Sequence, residues 1–435
     1  MAAVRRFLSA RLLMTAVGGS VPAMSWNTVR AASSTWAAAR MPRPDDVPLT
    51  LYRDANSWCP FCHRTFFYME QKRLRYTTER IHLGGDPREP PKSAAYLRDV
   101  APRGNVPALR VRDKIVLESL DILRALDDEF PDEFVKSAED LDLESKLVQF
   151  CGAFDVDCDR WLFNTDEAQE AALEAEARGK LAWLEGALDA RPEGAFFLGA
   201  HVTLADAAYV GFLTRLATNY NYFKGLDVTQ PANGYPRLAA WLAAIDATPG
   251  GRATKQESFF EQRIYQAAPE RRAAAEPCMV LHPVALGVGE PRKYTPPAPP
   301  VAETLTAGGE AALEAAWRLA ERRRPLARFL LRKHREASTP PPAKHWKTVS
   351  RRAPELVEEE DAPEDIERVE QQVLALASVL TGHVTPAEGA MAAGGADALR
   401  EGEVAALGGL VGTPRDMTAA AAMELRAALG EMLNC

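Results

Sequence analysis

The string Cys59-Pro60-Phe61-Cys62 constrains the fold more than any other part of the sequence. It follows Leu49-Thr50-Leu51-Tyr52, which reads as a short strand, and a loop from Arg53 to Trp58. It opens a run to about Lys72 whose apolar side carries Phe66, Phe67 and Met69. A thiol at the start of a helix faces unpaired N–H groups and the positive end of the dipole, which favours the thiolate. Cys59 is so placed, and Pro60 fits the first helical position, where its missing N–H costs nothing. Cys62 lies one turn deeper on the same face, in reach to resolve a mixed disulfide on Cys59. Three other readings stay open on the residues alone. One is a zinc half-site, although no second C-x-x-C or H-x-x-x-H completes four ligands. Another is c-type haem attachment, since Cys59 to His63 matches C-x-x-C-H. The last is a scaffold with inert cysteines.

The neighbouring pattern predicts a small α/β sandwich. Tyr76 to Leu83 reads as a strand and Lys92 to Val100 as a short helix. Val106-Pro107-Ala108-Leu109 and Ile115-Val116-Leu117 read as strands, and Ser119 to Glu129 as a helix. After Phe134 the periodicity is helical only, with helices expected at 139–163, 166–190, 204–218 and 235–247. Thr203-Leu204-Ala205-Asp206 is a capping box at the start of one of them. At 435 residues the chain holds two to three domains. Its formal net charge of −8 argues against nucleic acid as the main partner. Six cysteines are too few for a disulfide scaffold, and no apolar run is long enough to cross a bilayer.

Both ends differ from this middle. Residues 1–44 hold no acid and carry Arg5, Arg6, Arg11, Arg30 and Arg40 among many Ala and Ser, the composition of an organellar transit peptide. A secretory signal is the rival, from the apolar stretch Leu12 to Val17, and a plain tail is the bland alternative. Residues 266–305 form a Pro-rich linker, and 306–435 a helical, partly disordered extension of unknown role. Within it, Gly309 to Arg335 is basic and interrupted by Pro325. Glu355 to Glu370 is acidic, and Asp365 to Leu380 and Asp416 to Leu433 look helical. The basic block, Arg318 to Arg335, reads as a solvated face, as a partner for the acidic block, or as a contact for an anionic membrane or RNA.

Taken in order, four stretches resemble the glutathione S-transferase family: Ser57 to Arg64, Gly104 to Leu109, Glu118 to Leu123, and the pair Thr203 to Ala208 and Tyr235 to Leu242. The resemblance covers about half of the chain. It implies a thioredoxin-like domain over 48–134 followed by an all-α transferase domain over 135–265. A cysteine at the catalytic place resembles the omega, lambda and dehydroascorbate-reductase branches. The tail, with Val411 to Met417, resembles the iota class of photosynthetic organisms. The family's site, carried over by motif, makes Cys59 the residue that forms a mixed disulfide with glutathione. Val106 pairs its backbone with the cysteinyl unit, and Pro107 is cis. Glu118 and Ser119 take the γ-glutamyl amine and carboxylate, Phe61 flanks the site, and Lys92 is a candidate for the glycine end.

Alone, Val106-Pro107 is a turn, Ser119 an N-cap and Glu118 a solvated acid; their joint spacing after Cys59 makes them a site. Cys151 and Cys158 read as buried thiols rather than a redox pair, and Cys435 as a free thiol. The expected activity is glutathione-dependent thiol transfer or reduction, as in dehydroascorbate reduction or deglutathionylation. Glutathione is the co-substrate, no metal is used, and the other partners are small-molecule or protein disulfides. Conjugation of glutathione to electrophiles is one rival, and a non-catalytic binding or assembly protein of the same fold is another. The resemblance implies a homodimer. A chloroplast location is expected, with the mitochondrion as alternative.

Overall fold

The computed structural model describes residues 22–55, 57, 59–83, 92–132, 134–162, 164, 166–255, 301–338, 362–400, 402–411 and 416–435. Residues 1–21 of the expected leader lie outside these. So do most of the 266–305 linker, the acidic block before Ala362, and Gly412 to Arg415. The chain divides into two compact units, one over Pro42–Ala298 and one built from Met1–Met41 together with Pro299–Cys435.

Helix α1, Trp26–Arg40, starts at Ser25, whose hydroxyl accepts the Thr28 N–H. It belongs to the second unit and is taken up below. In the first unit, β1 (Leu49–Asp54) leads through α2 (Pro60–Gln71) to β2 (Thr77–Ile81). A parallel pair needs such a crossover, and β1 and β2 are parallel with Thr50 opposite Thr77. Helix α3 (Ala94–Asp99) then leads to β3 (Ala108–Val111) and β4 (Lys114–Leu117), both antiparallel, giving the sheet order β2-β1-β3-β4. The expected strand at 106–109 begins at Ala108. Pro107 has no N–H for a ladder and is joined to Val106 by a cis peptide.

Successive side chains on a strand point to opposite faces. Leu49 and Leu51 therefore meet Phe67 of α2 and Ile122 and Leu126 of α4 (Ser119–Glu129), while Tyr52 turns to Tyr96 of α3. The first of these clusters continues into the helices that follow: α5 (Ala138–Leu162), α6 (Glu167–Asp189), α7 (Leu204–Lys224), α8 (Pro236–Ala247) and α9 (Pro249–Thr254). The T-x-x-D box does more than cap α7. Buried Asp206 accepts the Thr203 N–H at 2.8 Å, the Phe197 N–H at 3.1 Å and the Trp241 indole N–H at 2.8 Å. Burial still raises its carboxyl to about 6.

The second unit has its own core. It contains α10 (Glu310–Ser338), α11 (Pro363–Leu380), α12 (Pro386–Ala392), α13 (Ala396–Arg400), α14 (Leu407–Leu410) and α15 (Ala419–Leu433). The backbone of α10 is non-helical at Arg322, three residues before Pro325. The cause is Pro325, whose ring clashes with the carbonyl four residues back. Glu314 on α10 accepts both the N–H and the hydroxyl of Thr418 at the start of α15, and Arg368 grips Glu403 through two 2.7 Å bonds.

The expected leader of 1–44 overlaps this core. Val29 of α1 is fully buried, and Trp36 is 7 % exposed. The Trp36 ring lies under the guanidinium groups of Arg40 and Arg318, at 4.7 and 5.1 Å. Arg323 stands over Trp26 at 5.7 Å, and Arg40 pairs with Glu310. Part of the basic block thus faces aromatic rings of α1, an arrangement absent from the readings of the sequence. No helix among the described residues is long and apolar enough to cross a membrane.

Removing residues 1–44 should lower the unfolding transition of the second unit, and Trp36→Ala in the full chain should cost about 3 kcal/mol of that transition alone. Calorimetry or urea denaturation with probes in each unit measures both; an unchanged transition after removal of 1–44 contradicts the packing of α1.

Candidate active site

β1 ends at Asp54, which is 1 % exposed. Its carboxylate accepts the Cys59 N–H at 3.2 Å, and its own N–H donates to Cys62 Sγ at 3.4 Å. Asp54 thereby fixes both ends of the Cys-Pro-Phe-Cys turn. Cys59 is the N-cap of α2 with extended backbone, and Pro60 takes the first position. The Cys62 N–H donates to Cys59 Sγ at 3.4 Å, and the Cys59 thiol faces the Val106 carbonyl at 3.9 Å. Both are free thiols. Cys59 is 9 % exposed and Cys62 only 1 %. Burial first, then the hydrogen bond and charge of Cys59, push the Cys62 thiol well above its ordinary range. The two sulfurs therefore differ in depth, and Cys62 is the one held protonated.

Helix α7 presses on this turn. A Cβ at Gly211 would sit 2.2 Å from the Pro60 carbonyl oxygen, so only glycine permits the approach. One turn on, Arg215 donates to His63 Nδ1 at 2.8 Å and to the Ser57 carbonyl at 3.4 Å. His63 Nε2 meets the Thr254 hydroxyl at 3.0 Å. Because arginine only donates, Nδ1 is the acceptor and Nε2 carries the hydrogen. Burial, then the charges of Arg215 and Arg53, hold His63 well below its ordinary value. Both ring nitrogens are engaged, Nδ1 by Arg215 and Nε2 by Thr254. Among the described residues no group of three His, Cys, Asp or Glu gathers as metal ligands.

The Val106–Pro107 bond beside the thiol is cis, and the Tyr96 hydroxyl holds the preceding Asn105 carbonyl at 2.5 Å. Glu118, before α4, has φ 62° and ψ 120°, a strained conformation for a residue with a side chain. It gives α4 no side-chain cap. Ser119 follows at the first helical position, and its hydroxyl accepts from Arg64 at 3.3 Å. Phe61 is 44 % exposed and stands edge-on to Phe212 of α7, with ring centres 5.1 Å apart. Lys92 donates to the Leu83 carbonyl at 2.7 Å, and its stem lies over Gly104.

The family model for the glutathione S-transferase N-terminal domain matches residues 58–129, and that for the C-terminal domain matches 167–244. Glutathione S-transferase L3 of Arabidopsis thaliana is 30% identical over 203 residues, which cover 46% of this chain and 79% of that protein. The chain belongs to the glutathione S-transferase family. Protein IN2-1 homolog A of Oryza sativa subsp. japonica is 29% identical over 226 residues, 52% of this chain and 87% of the relative. The chloroplastic glutathione S-transferase L2 of Arabidopsis thaliana is 27% identical over 205 residues, 46% of this chain and 64% of that protein.

Within this transferase, Asp54, His63, Arg64 and Arg215 are the site groups that sequence reasoning missed. Arg64 had a signal, a charge within a helix turn otherwise bound for the core. Arg215 and Asp155, on α7 and α5, had none, because their partners are 152 and 91 residues away.

Gly211→Ala should destabilise the first unit by about 1–3 kcal/mol in chemical denaturation. Gly179→Ala, where a Cβ meets open space, should be neutral or stabilising. His63 supplies a pH test. Its value is lower in the folded state than in the unfolded chain, so stability falls as pH drops below about 6.5, by up to ~1.4 kcal/mol per pH unit. His63→Gln lacks that component and should gain on the wild type between pH 7 and 5. Parallel pH profiles for the two proteins would contradict a neutral His63.

Proposed function

We propose that this chain is a glutathione-dependent thiol transferase or reductase whose chemistry is carried by Cys59. The supporting observation is the capping sulfur itself. Cys59 Sγ sits where conjugating members of the family carry a hydroxyl, receives a backbone N–H, and lies beside the cis-proline edge. A thiolate there attacks the disulfide of a glutathionylated substrate. The Cys59–glutathione disulfide forms, and the substrate leaves as its thiol after taking a proton. A second glutathione thiolate then attacks the mixed disulfide, releasing oxidised glutathione and the free Cys59. Cys62, buried and held protonated, is a poor competitor for that second step, so glutathione is the main resolving thiol. Glutathione lies along Val106 and Pro107, with Glu118 and Ser119 at its γ-glutamyl end, Phe61 beside the sulfur and Lys92 toward the glycine end. No metal takes part.

Small oxidised molecules and protein mixed disulfides are the proposed substrates. The chloroplastic relative and the acid-free start of the chain favour a plastid location. We place the end of any targeting stretch before Ser25, because α1 is part of the second unit.

After incubation with oxidised glutathione, mass spectrometry should find one glutathione on Cys59 in the wild type and in Cys62→Ser. Cys59→Ser should carry none there and lose turnover of hydroxyethyl disulfide, while Cys62→Ser keeps most of it. Turnover surviving in Cys59→Ser would overturn the assignment.

A further inference from the structure

The long helices of the two units treat their surface charges differently. On α5 and α6 each cation has an acid beside it: Lys146 pairs with Asp142 at 2.6 Å, Arg160 with Glu176 at 3.1 Å, Arg178 with Glu174 at 2.7 Å and Lys180 with Asp157 at 3.2 Å. Helix α10 lacks this matching. From Arg318 to Arg335 it holds a single acid, Glu321. Arg318 pairs with Glu314, and Arg323 stands over Trp26. Arg322, Arg324 and Arg328 are exposed, and none of them has an ion pair among the described residues. Helix α1, packed alongside, contributes no acid. Its Arg40 is matched by Glu310, and the Nε of half-buried Arg30 has no partner. Like charges four residues apart, as at Arg324 and Arg328, weaken a helix. A face that only needed water would mix signs, as α5 and α6 do.

The open cations are all arginines, whose planar forks hold phosphate oxygens in pairs. They stand on the outer side of a helix, a display that suits a plane of phosphates better than one small anion. Stacking of bases needs an open ring. Trp26 and Trp36 already lie under arginines, and neither α1 nor α10 has a large aromatic fully exposed. No large apolar side chain of α10 is exposed either, so contact would stay at headgroup level. The chain as a whole carries −8. Screening over about 10 Å at 0.1 M salt lets a local face act against that overall sign. We propose that the outer face of α10, with Arg322, Arg324 and Arg328, docks on the surface of a bilayer rich in anionic phospholipid. The second unit is then a peripheral anchor, and the covalent chain holds the first unit at the same membrane.

The test is sedimentation of the full-length protein with vesicles of phosphatidylglycerol and phosphatidylcholine in equal parts, and with vesicles of phosphatidylcholine alone. The wild type should partition to the anionic vesicles at about 0.1 M salt and leave them at about 0.5 M. Arg322→Gln, Arg324→Gln and Arg328→Gln together should weaken partitioning roughly hundred-fold, with hydroxyethyl disulfide turnover unchanged. Lysine at the same three positions should keep most of the binding, and Glu321→Gln should strengthen it. Unchanged partitioning of the triple glutamine variant overturns the proposal, whichever segment then binds. So does equal partitioning to both kinds of vesicle, or none to either. Tighter binding to single-stranded RNA than to the vesicles assigns the face to a polynucleotide instead. Vesicle binding that appears only once Glu358, Glu359, Glu360 and Asp361 are changed to amides assigns it to the chain's own acidic run.

Discussion

The hydrogen bond from the Cys62 N–H to Cys59 Sγ, 3.4 Å long, is the contact on which the thiol chemistry proposed for the first unit depends. It exists only if α2 begins at Pro60, and the structure enforces that start from three directions. Asp54, at the end of β1, takes the Cys59 N–H from within the sheet. Gly211 lets α7 touch the Pro60 carbonyl from the helical side. Arg215, also on α7, holds the Ser57 carbonyl just upstream. Two of these three restraints come from the helical half of the unit. The all-α part is thus a structural component of the thiol site as well as a wall beside it.

The same arrangement makes two cysteines of one string unlike. Both sulfurs accept a backbone N–H, Cys59 from Cys62 and Cys62 from Asp54. For Cys62 that bond favours the thiolate, but burial and the neighbouring sulfur outweigh it. A difference of one helical turn in depth therefore separates the less buried sulfur from one kept protonated. Spacing alone cannot express that difference, since C-x-x-C gives both residues the same face of the helix.

Local signals were legible in the sequence, and distant ones were not. Ser119 to Glu129 is helical over the residues expected, because its apolar period is strong, although Ser119 sits at the first helical position and not at the N-cap, which is Glu118. Pro107 was expected to be cis and is. Strand β3 starts two residues late because a proline cannot enter the ladder. Helix α12 was overlooked although Thr385-Pro386-Ala387-Glu388 is a capping box, with Glu388 accepting the Thr385 N–H at 2.8 Å. The larger omission is α1. Val29, Ser33, Trp36 and Ala37 share a buried helical face, but an acid-free, arginine-bearing stretch also fits a leader, and composition spoke louder than period. The Arg64–Asp155 and Arg215–His63 contacts lie beyond any local pattern, because packing alone brings their partners together.

The second unit draws its core from both ends of the chain. Trp36 and Arg318 meet across some two hundred and eighty residues, and the whole first unit lies between them in sequence. Closing so long a connection is not prohibitive, since the entropy cost grows only with the logarithm of its length. The consequence is one of order. Domains fold as units during synthesis, N-terminal first. The first unit can complete itself from contiguous chain, whereas α1 is made first and has no partner until α10 emerges. Its apolar face, with Val29 and Trp36, must stay uncovered through that interval. Arg40 and Trp36 gain their partners Glu310 and Arg318 only once α10 has been made.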